Sequence, residues 1–443
     1  REAWQEQVLS VTDLNEQAPA MSMIEKPIWS TWAQFKKDIN QDQVLKYARD
    51  IVDSGIPYSV MEIDDMWSST YGDFTFNATR FPDPEAMVNE LHRLGFDVMV
   101  WIVPFCDENA LVYREGEVNQ YWVRQLNKKG DLETARVRWW DNNQEGSAVL
   151  DVTNPQAREW FLNRIRSALS QYGIDGVKLD AGETVYIPTS NTAVYHNLLA
   201  LHSGTGVLEY TALYSSLAQE ISSISEVRAA WKLQRVATFV RVMDLNSVWG
   251  YENGLSAAVS RLLTFSLLGY RFVLPDMIGG NGYGPDGELF VRNQPPEELY
   301  IRWAQMNVIL PMQMSIPPWR YNSTLVTTAF QKMLKIRNEL FPLYQEAIQD
   351  SKLTGMPLVR PMWWKAPHDL YVLSCEDQFM VGDEIVMAPI LESNATQRKI
   401  FIPMGLWAPC DVDSSSRAVD GPTTIILENI TIFSIPCYRR LHY

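Results

Sequence analysis

The sequence predicts a (β/α)8 TIM barrel over residues 1–352 and a C-terminal antiparallel β-sandwich over residues 353–443, and three observations predict it. Short apolar strands alternate with amphipathic helices for about 330 residues, the pattern of a parallel α/β fold. No Gly-rich phosphate turn follows the first strand, which disfavours a doubly wound nucleotide-binding sheet. Past Thr354-Gly-Met-Pro the helices stop and short alternating apolar runs with turn residues between them take over, the texture of antiparallel β structure.

Lys26-Pro-Ile-Trp-Ser-Thr-Trp32 reads as the first strand. Apolar residues at helical spacing from Asp42 to Val52, closed by Gly55, make the first helix. The strand recurs at Tyr58-Ser-Val-Met-Glu-Ile-Asp-Asp65, and Pro82-Asp-Pro84 opens a helix reaching Leu94 before the strand Asp97–Pro104. A helix from Asn154 to Tyr172 leads into Gly176–Asp180, and one from Tyr210 to Ile221 leads into Glu226–Trp231, with a further strand at Ala237–Met243. The helix Gly254–Leu268 feeds Arg271–Asp276, and Glu297–Asn307 feeds Val308–Met314. The helix Thr328–Gln349 ends the barrel region; Glu384-Ile-Val-Met-Ala-Pro-Ile-Leu391 and Lys399-Ile-Phe-Ile-Pro403 are typical of the strands that follow.

The balance of 38 basic against 53 acidic residues, a net charge of −15, argues against nucleic acid and anionic membrane as partners. A neutral substrate suits it better. The longest apolar stretch, Ala257–Leu274, is broken by Arg261 and Arg271, so no membrane span is expected and the chain should be soluble. The sequence begins at Arg1 without an initiator Met, so a signal, anchor or N-terminal domain is expected upstream. Sequons at Asn77, Asn322, Asn394 and Asn429 exceed the about two that chance would supply, which points to glycosylation and the secretory pathway, the endoplasmic reticulum lumen above all. Cys106, Cys375, Cys410 and Cys437 lack metal-like spacing; three lie near the C-terminus, where one disulfide is expected with its connectivity open.

Active-site residues of such barrels sit at the carboxyl ends of the strands. Those ends read Trp32, Asp64 and Asp65, Trp101, Asp180, Trp231, Asp244, Asp276 and Met314. Acidic residues at four separate strand ends exceed what packing asks for. Two carboxylates across an aromatic-lined pocket are what cleavage of a glycosidic bond needs: one attacks or stabilises the anomeric carbon, the other protonates the leaving oxygen. Asp64, Asp65, Asp180 and Glu183 are the alternative ligands of a divalent ion, but none of the five His, at 92, 196, 202, 368 and 442, lies at a strand end. No metal and no cofactor are therefore expected. Serine chemistry lacks a Gly-x-Ser-x-Gly elbow.

Nearly end to end, the chain carries a set of segments: Glu62-Ile-Asp-Asp-Met-Trp67 with Gly72-Asp-Phe-Thr-Phe-Asn77 and Arg80-Phe-Pro-Asp83; Gly176-Val-Lys-Leu-Asp-Ala-Gly-Glu183; Phe239-Val-Arg-Val-Met-Asp244 with Asn253-Gly-Leu255; Phe272-Val-Leu-Pro-Asp-Met-Ile-Gly-Gly-Asn281; Pro357-Leu-Val-Arg-Pro361; and Val381-Gly-Asp-Glu-Ile-Val-Met-Ala-Pro389. In these it resembles glycoside hydrolase family 31. The resemblance implies that Asp180 is the nucleophile of a retaining double displacement and that Asp244 is the general acid/base. Many relatives read Trp-x-Gly-Asp where this chain has Arg241-Val-Met-Asp244, so Glu252 is kept as a fallback. It further implies that Asp64 holds the distal sugar hydroxyls, Arg228 those near the nucleophile, and that Asp276 is a supporting carboxylate. Trp101 would wall the sugar. Arg228 has the alternative of neutralising buried acids, and Glu183 stays open between support and a hand in choosing the sugar. Trp29, Trp32 and Trp319 are stacking platforms or core.

Two departures shape the expectation. The Arg-x-His that many α-glucosidases of the family carry near the last barrel strand is replaced by Leu310-Pro-Met-Gln-Met-Ser-Ile-Pro-Pro-Trp319, without His. The branch the chain resembles most looks like one acting on α-galactosides, so an exo-α-galactosidase leads over an α-glucosidase. Family members also carry a β-sandwich ahead of the barrel that lends the site a loop, whereas this chain reaches its first barrel strand by about residue 27. The expected partners are an α-linked glycoside or oligosaccharide and a separate N-terminal β-domain segment, with a homo-oligomer left open and nucleic acid excluded. A non-catalytic glycan-binding regulator on the same scaffold is the rival from another class, but such proteins usually lose a catalytic carboxylate and here both remain.

Overall fold

The computed structural model describes residues 18–139, 146–187, 207–288, 294–411 and 417–442. They supply the eight parallel strands of the (β/α)8 barrel and an antiparallel C-terminal sheet. The chain divides into two compact units. One holds Ala18–Ala20 and Ile28–Arg241; the other holds Met21–Pro27 and the chain from Val242 onward.

In the first unit, β1 (Ile28–Ser30), β2 (Val60–Ile63), β3 (Asp97–Ile102), β4 (Gly176–Leu179), β5 (Ser225–Val227) and β6 (Phe239–Arg241) are parallel neighbours in chain order. Nearly every strand residue is buried, as in a parallel sheet covered on both faces. The helices between them carry explicit start and stop signals. α1 (Gln41–Ser54) is capped by Asn40, whose Oδ1 accepts the Gln43 N–H at 2.9 Å, and Gly55 ends it in the left-handed region at φ +70°. It buries Val44, Tyr47, Ala48 and Ile51, one face at helical spacing. α2 (Pro84–Arg93) starts from Asp83 with Pro84 at its first position, and α3 (Pro155–Tyr172) starts from Asn154 and ends at Gly173. α4 is Val207–Ile221.

Two parts of this unit differ from the expectation. β5 and β6 are joined without a helix. Between β3 and α3 lies an insertion built from the short strands Phe105–Cys106, Arg124–Leu126, Leu132–Thr134, Arg136–Val137 and Ser147–Val149 and the helix Tyr113–Val118. Strands of two or three residues are too short to show a period in sequence.

In the second unit, β7 (Val273–Leu274) and β8 (Gln313–Met314) are linked through a parallel bridge from Met277 to Gln313. Both are shorter than expected; for β8 the reason is that Asn307–Ile309 winds into a 3-10 turn ahead of it. α5 (Leu255–Leu267), α6 (Glu297–Met306) and α7 (Thr324–Thr354) pack with them; α7 runs 31 residues, past both ends expected for it. Arg337 of α7 is buried and donates to the carbonyls of Leu310 at 2.7 Å, Val308 at 3.2 Å, Ile24 at 3.0 Å and Glu25 at 3.2 Å. It is a charged clamp on chain ends that would otherwise lack donors.

The C-terminal domain is a six-stranded antiparallel sheet of β9 (Val359–Pro361), β10 (Phe379–Val381), β11 (Ile385–Met387), β12 (Gln397–Pro409), β13 (Val419–Glu428) and β14 (Cys437–Leu441), ordered β9-β10-β11-β14-β12-β13. Met380, Val386, Ile400, Ile402 and Trp407 form its core. Cys410 pairs with Cys437, closing a span of 27 residues, while Cys106 and Cys375 are free thiols. Among the described residues no helix is long and apolar enough to cross a membrane.

Candidate active site

The site of the first unit forms where β4 ends. Asp180 is followed by Ala181 at φ +58° and Gly182 at φ +87°. A Cβ on Gly182 would meet the Tyr214 ring at 2.5 Å, so the turn depends on glycine. The turn sends Asp180 and Glu183 to one guanidinium. Arg228 grips Glu183 with two bonds, Nε to Oε1 at 2.6 Å and Nη2 to Oε2 at 3.0 Å, and sets Nη1 at 3.2 Å from Asp180 Oδ1. Arg241 Nη2 stands 3.3 Å from the same oxygen, and Trp101 Nε1–H donates to Asp180 Oδ2 at 2.9 Å. Three donors from β3, β6 and the segment after β5 thus orient one carboxylate. Tyr214 ties down the backbone beneath it, donating to the Asp180 carbonyl at 3.0 Å. The Arg228 guanidinium lies 5.3 Å from the Trp139 ring centre and 5.9 Å from that of Tyr186, which shield it from water.

Beneath Asp180 lies a buried charge cluster. Lys178, two residues earlier on the same face of β4, meets Glu62 at 2.6 Å, Asp64 at 2.7 Å and Glu226 at 3.6 Å. Arg241 Nε closes it, 3.3 Å from Glu226. Burial, reinforced by the charge of Glu62, pushes the Asp64 carboxyl up to about 7 against the pull of Lys178. Desolvation works against the Lys178 ammonium, yet Asp64, Glu62 and Glu226 hold it well above the ordinary lysine value. The other Asp64 oxygen accepts the Asp65 N–H at 2.8 Å, and its own N–H donates to Thr31 Oγ1 at 2.9 Å. Asp65 Oδ2 accepts the Tyr71 hydroxyl at 3.0 Å.

In the second unit, Asp244 is half-buried on the loop that runs to α5. Its carbonyl accepts Asn253 Nδ2 at 3.0 Å, and Arg261 binds both Asn253 Oδ1 at 2.7 Å and the Met243 carbonyl at 3.0 Å. On the other side Asp276, fully buried and held at φ +67°, accepts the Leu245 N–H and Asn281 Nδ2, each at 2.7 Å. The main chain on either side of Asp244 is therefore clamped. Glu252 is exposed on the same loop.

The sequence-expected residues fall as follows. Trp101, expected as a wall, is a hydrogen-bond donor to Asp180. Arg228 is held by two acids, and Asp276 fixes the Asp244 loop. Trp29 belongs to the core and is no stacking platform: it is fully buried, its indole N–H donates to the Pro57 carbonyl at 3.2 Å, and its ring meets Tyr47 of α1 edge-on. Trp32 starts the short helix Trp32–Phe35 and is 8% exposed, with Lys36 over its ring, while Trp319 is half-buried in the 3-10 turn Pro318–Tyr321. Sequence reasoning missed Lys178, Glu62, Glu226, Arg241 and Trp139. The first two were findable, since period 2 puts Lys178 on the face of Asp180 and Glu62 on that of Asp64; Trp139, on the insertion, left no such signal. The sequon residues Asn322, Asn394 and Asn429 are exposed, and Asn77 is half-buried. Among the described residues no group of three or more His, Cys, Asp or Glu side chains could hold a metal ion; His196 and His202 lie outside those residues.

The profile of the glycosyl hydrolases family 31 TIM-barrel domain matches residues 25–347, and that of the glycosyl hydrolase family 31 C-terminal domain matches residues 355–441. The chain is 39% identical over 393 residues to the myogenesis-regulating glycosidase of Mus musculus, covering 88% of this chain and 53% of that one. It is 26% identical over 404 residues to the alpha-xylosidase XylQ of Lactiplantibacillus pentosus, covering 86% of this chain and 49% of the other. Its fold matches that of a family 31 dextranase of Flavobacterium johnsoniae complexed with glucose, with a TM-score of 0.78 at 20% identity over 96% of this chain and 52% of the other. The chain spans about half the length of the curated relatives it matches.

Proposed function

The chain belongs to glycoside hydrolase family 31, and from that premise we propose that it is a retaining exo-α-glycosidase with Asp180 as nucleophile and Asp244 as acid/base. The observation that carries this reading is the Asp180 carboxylate, presented at the end of β4 by Trp101, Arg228 and Arg241. Three donors from separate segments orient it for attack on an anomeric carbon. In the first step Asp180 forms a glycosyl ester while Asp244 gives its proton to the departing oxygen. In the second, Asp244 takes a proton from water as the water oxygen attacks the anomeric carbon, breaking its bond to the Asp180 oxygen and restoring the carboxylate. Asp64 serves the distal hydroxyls of the sugar. Arg228 and Glu183 act as one unit that sets the position of Asp180, and Asp276 holds the loop of Asp244.

For specificity we favour a terminal α-galactoside, because the stretch that contains the last barrel strand, Leu310–Trp319, lacks the His expected of an α-glucosidase. An α-glucoside is the alternative, favoured by the dextranase among the similar folds. The exposed sequons at Asn322, Asn394 and Asn429 support a glycoprotein of the secretory pathway. A panel of 4-nitrophenyl α- and β-glycosides at about pH 4 to 8, with Asp180→Asn and Asp244→Asn, tests all of this. The expected result is α-galactoside turnover lost in both variants. Unchanged turnover in both variants refutes the mechanism, and α-glucoside turnover without α-galactoside turnover refutes the specificity.

A further inference from the structure

Within the second unit a cavity of about 510 Å³ opens between the loop that carries Asp244 and the segment of the C-terminal domain that leads into β12. One side is formed by Trp249, half-buried, and Tyr251, 48% exposed; the other includes Glu392, Gln397 and Arg398, with Asp377 behind. Arg398 is fixed in place: it forms an ion pair with Asp377, donates to the Asp377 carbonyl at 2.7 Å and to that of Pro389 at 3.1 Å. Partial burial, then the charges of Glu376 and Asp377, push the Tyr251 phenol up, so its hydroxyl stays protonated.

We infer that this groove is a second carbohydrate site, which takes a neutral α-linked oligosaccharide beside the loop of Asp244. The ligand class rests on the glycosidase reading. The exposed Tyr251 and the half-buried Trp249 offer flat apolar surfaces to the C–H side of a sugar ring, with polar tips at their edges. The carboxylate of Glu392 and the amide of Gln397 supply acceptors and donors for hydroxyls. A chain with a net charge of −15 disfavours an anionic ligand. The volume lies in the range of about 300–1,000 Å³ of small-molecule sites, room for more than one sugar ring. The lining mixes apolar Ile390 and Leu391 with polar Ser256, Glu392 and Gln397, which suits a carbohydrate better than a purely apolar ligand. Asn394, a sequon residue, sits between the lining residues Ser393 and Ala395, so an N-glycan attached there is the competing occupant.

The test titrates the Asp180→Asn chain, made in a host that adds no glycans, with stachyose and with isomaltotriose by calorimetry. Two classes of site are expected for at least one sugar. Tyr251→Ala should weaken one class by about tenfold or more, and Gln397→Ala should weaken the same class in the same direction. In the chain with Asp180 intact, Tyr251→Ala should raise KM for the oligosaccharide while leaving kcat/KM for the small 4-nitrophenyl glycoside within about twofold. A single class in the parent, or oligosaccharide affinity unchanged by Tyr251→Ala, overturns the proposal. Loss of the second class in material from a glycosylating host, restored by Asn394→Gln, counts for the site with the chain's own glycan as occupant. The two readings fail separately. Groove binding with no turnover of any glycoside sinks the glycosidase reading alone, and an active enzyme indifferent to Tyr251→Ala sinks the groove alone.

Discussion

Lys178→Met removes one ammonium from among three buried carboxylates and leaves the stem that packs beneath Asp180. The wild-type ion sits 2.6 Å from Glu62, 2.7 Å from Asp64 and 3.6 Å from Glu226, all nearly excluded from water. Breaking a buried pair by removing one partner costs about 3–5 kcal/mol, because the remaining charge is uncompensated. The deficit depends on pH, and its sign follows from the direction of the shifts. Asp64 already titrates at about 7, above its unfolded value of 3.8, so its ionisation opposes folding and stability falls as pH rises between those values. Without Lys178 the folded Asp64 carboxyl binds its proton more tightly still, so the added deficit is full above its folded value and fades as pH falls below it. At about 2 °C per kcal/mol, the low end suited to a large chain, Lys178→Met should melt roughly 6–10 °C below the parent at about pH 8 and approach it near about pH 5. Scanning fluorimetry across that range measures it, with Lys46→Met as control, since the Lys46–Asp50 pair has its lysine 73% exposed and is worth at most about 0.5 kcal/mol. A Lys178→Met chain that melts within about 2 °C of the parent at the alkaline end, or a deficit that grows towards acid, would refute the reasoning.

Other perturbations have equally direct readouts. Gly182→Ala forces a Cβ to 2.5 Å from the Tyr214 ring at φ +87° and should cut α-glycoside kcat/KM by about tenfold or more by moving Asp180, with rates on the 4-nitrophenyl panel as the measure. Arg337→Met leaves the carbonyls of Leu310, Val308 and Ile24 without their donor and should cost about 3 kcal/mol or more in denaturant unfolding. Replacing Cys410 and Cys437 together by Ser opens the 27-residue span and should lower stability by about 2–4 kcal/mol; reducing agent should reproduce the loss in the parent and have no effect on the double variant.

What the sequence made legible followed from local chemistry. Asn40, Asp83 and Asn154 cap helices and Gly55 and Gly173 end them, so the helix bounds could be read from side chains that satisfy the exposed ends of the backbone. The strand ends follow from the apolar runs between those helices, which is why the sequence alone puts Asp64, Asp180 and Asp276 at strand ends. Pairing was the hidden part. That Arg228 would take Glu183 in a bidentate grip, or that Lys178 would gather acids from β2 and β5, depends on strand register, and register is fixed by the whole sheet. Trp29 shows the same limit from the other side: its position on β1 was right, but whether a ring faces a ligand or a helix is decided by the layer behind it, where Tyr47 waits.

The cluster around Asp180 also carries an electrostatic argument that no single residue suggests. Glu62, Asp64, Asp180, Glu183 and Glu226 are five carboxylates that meet the cations Lys178, Arg228 and Arg241. The proton that Asp64 keeps up to about pH 7 removes part of the excess, and what remains is negative. An excess of this sign opposes the binding of anions and favours positive charge developing on a bound group. On the proposed mechanism the transition state is oxocarbenium-like and carries such charge, so a negative surrounding would lower its energy relative to a neutral bound sugar. On that mechanism the work of Arg228 and Arg241, both within 3.3 Å of Asp180 Oδ1, is to hold the attacking oxygen in place while the carboxylates around Lys178 keep the surroundings negative.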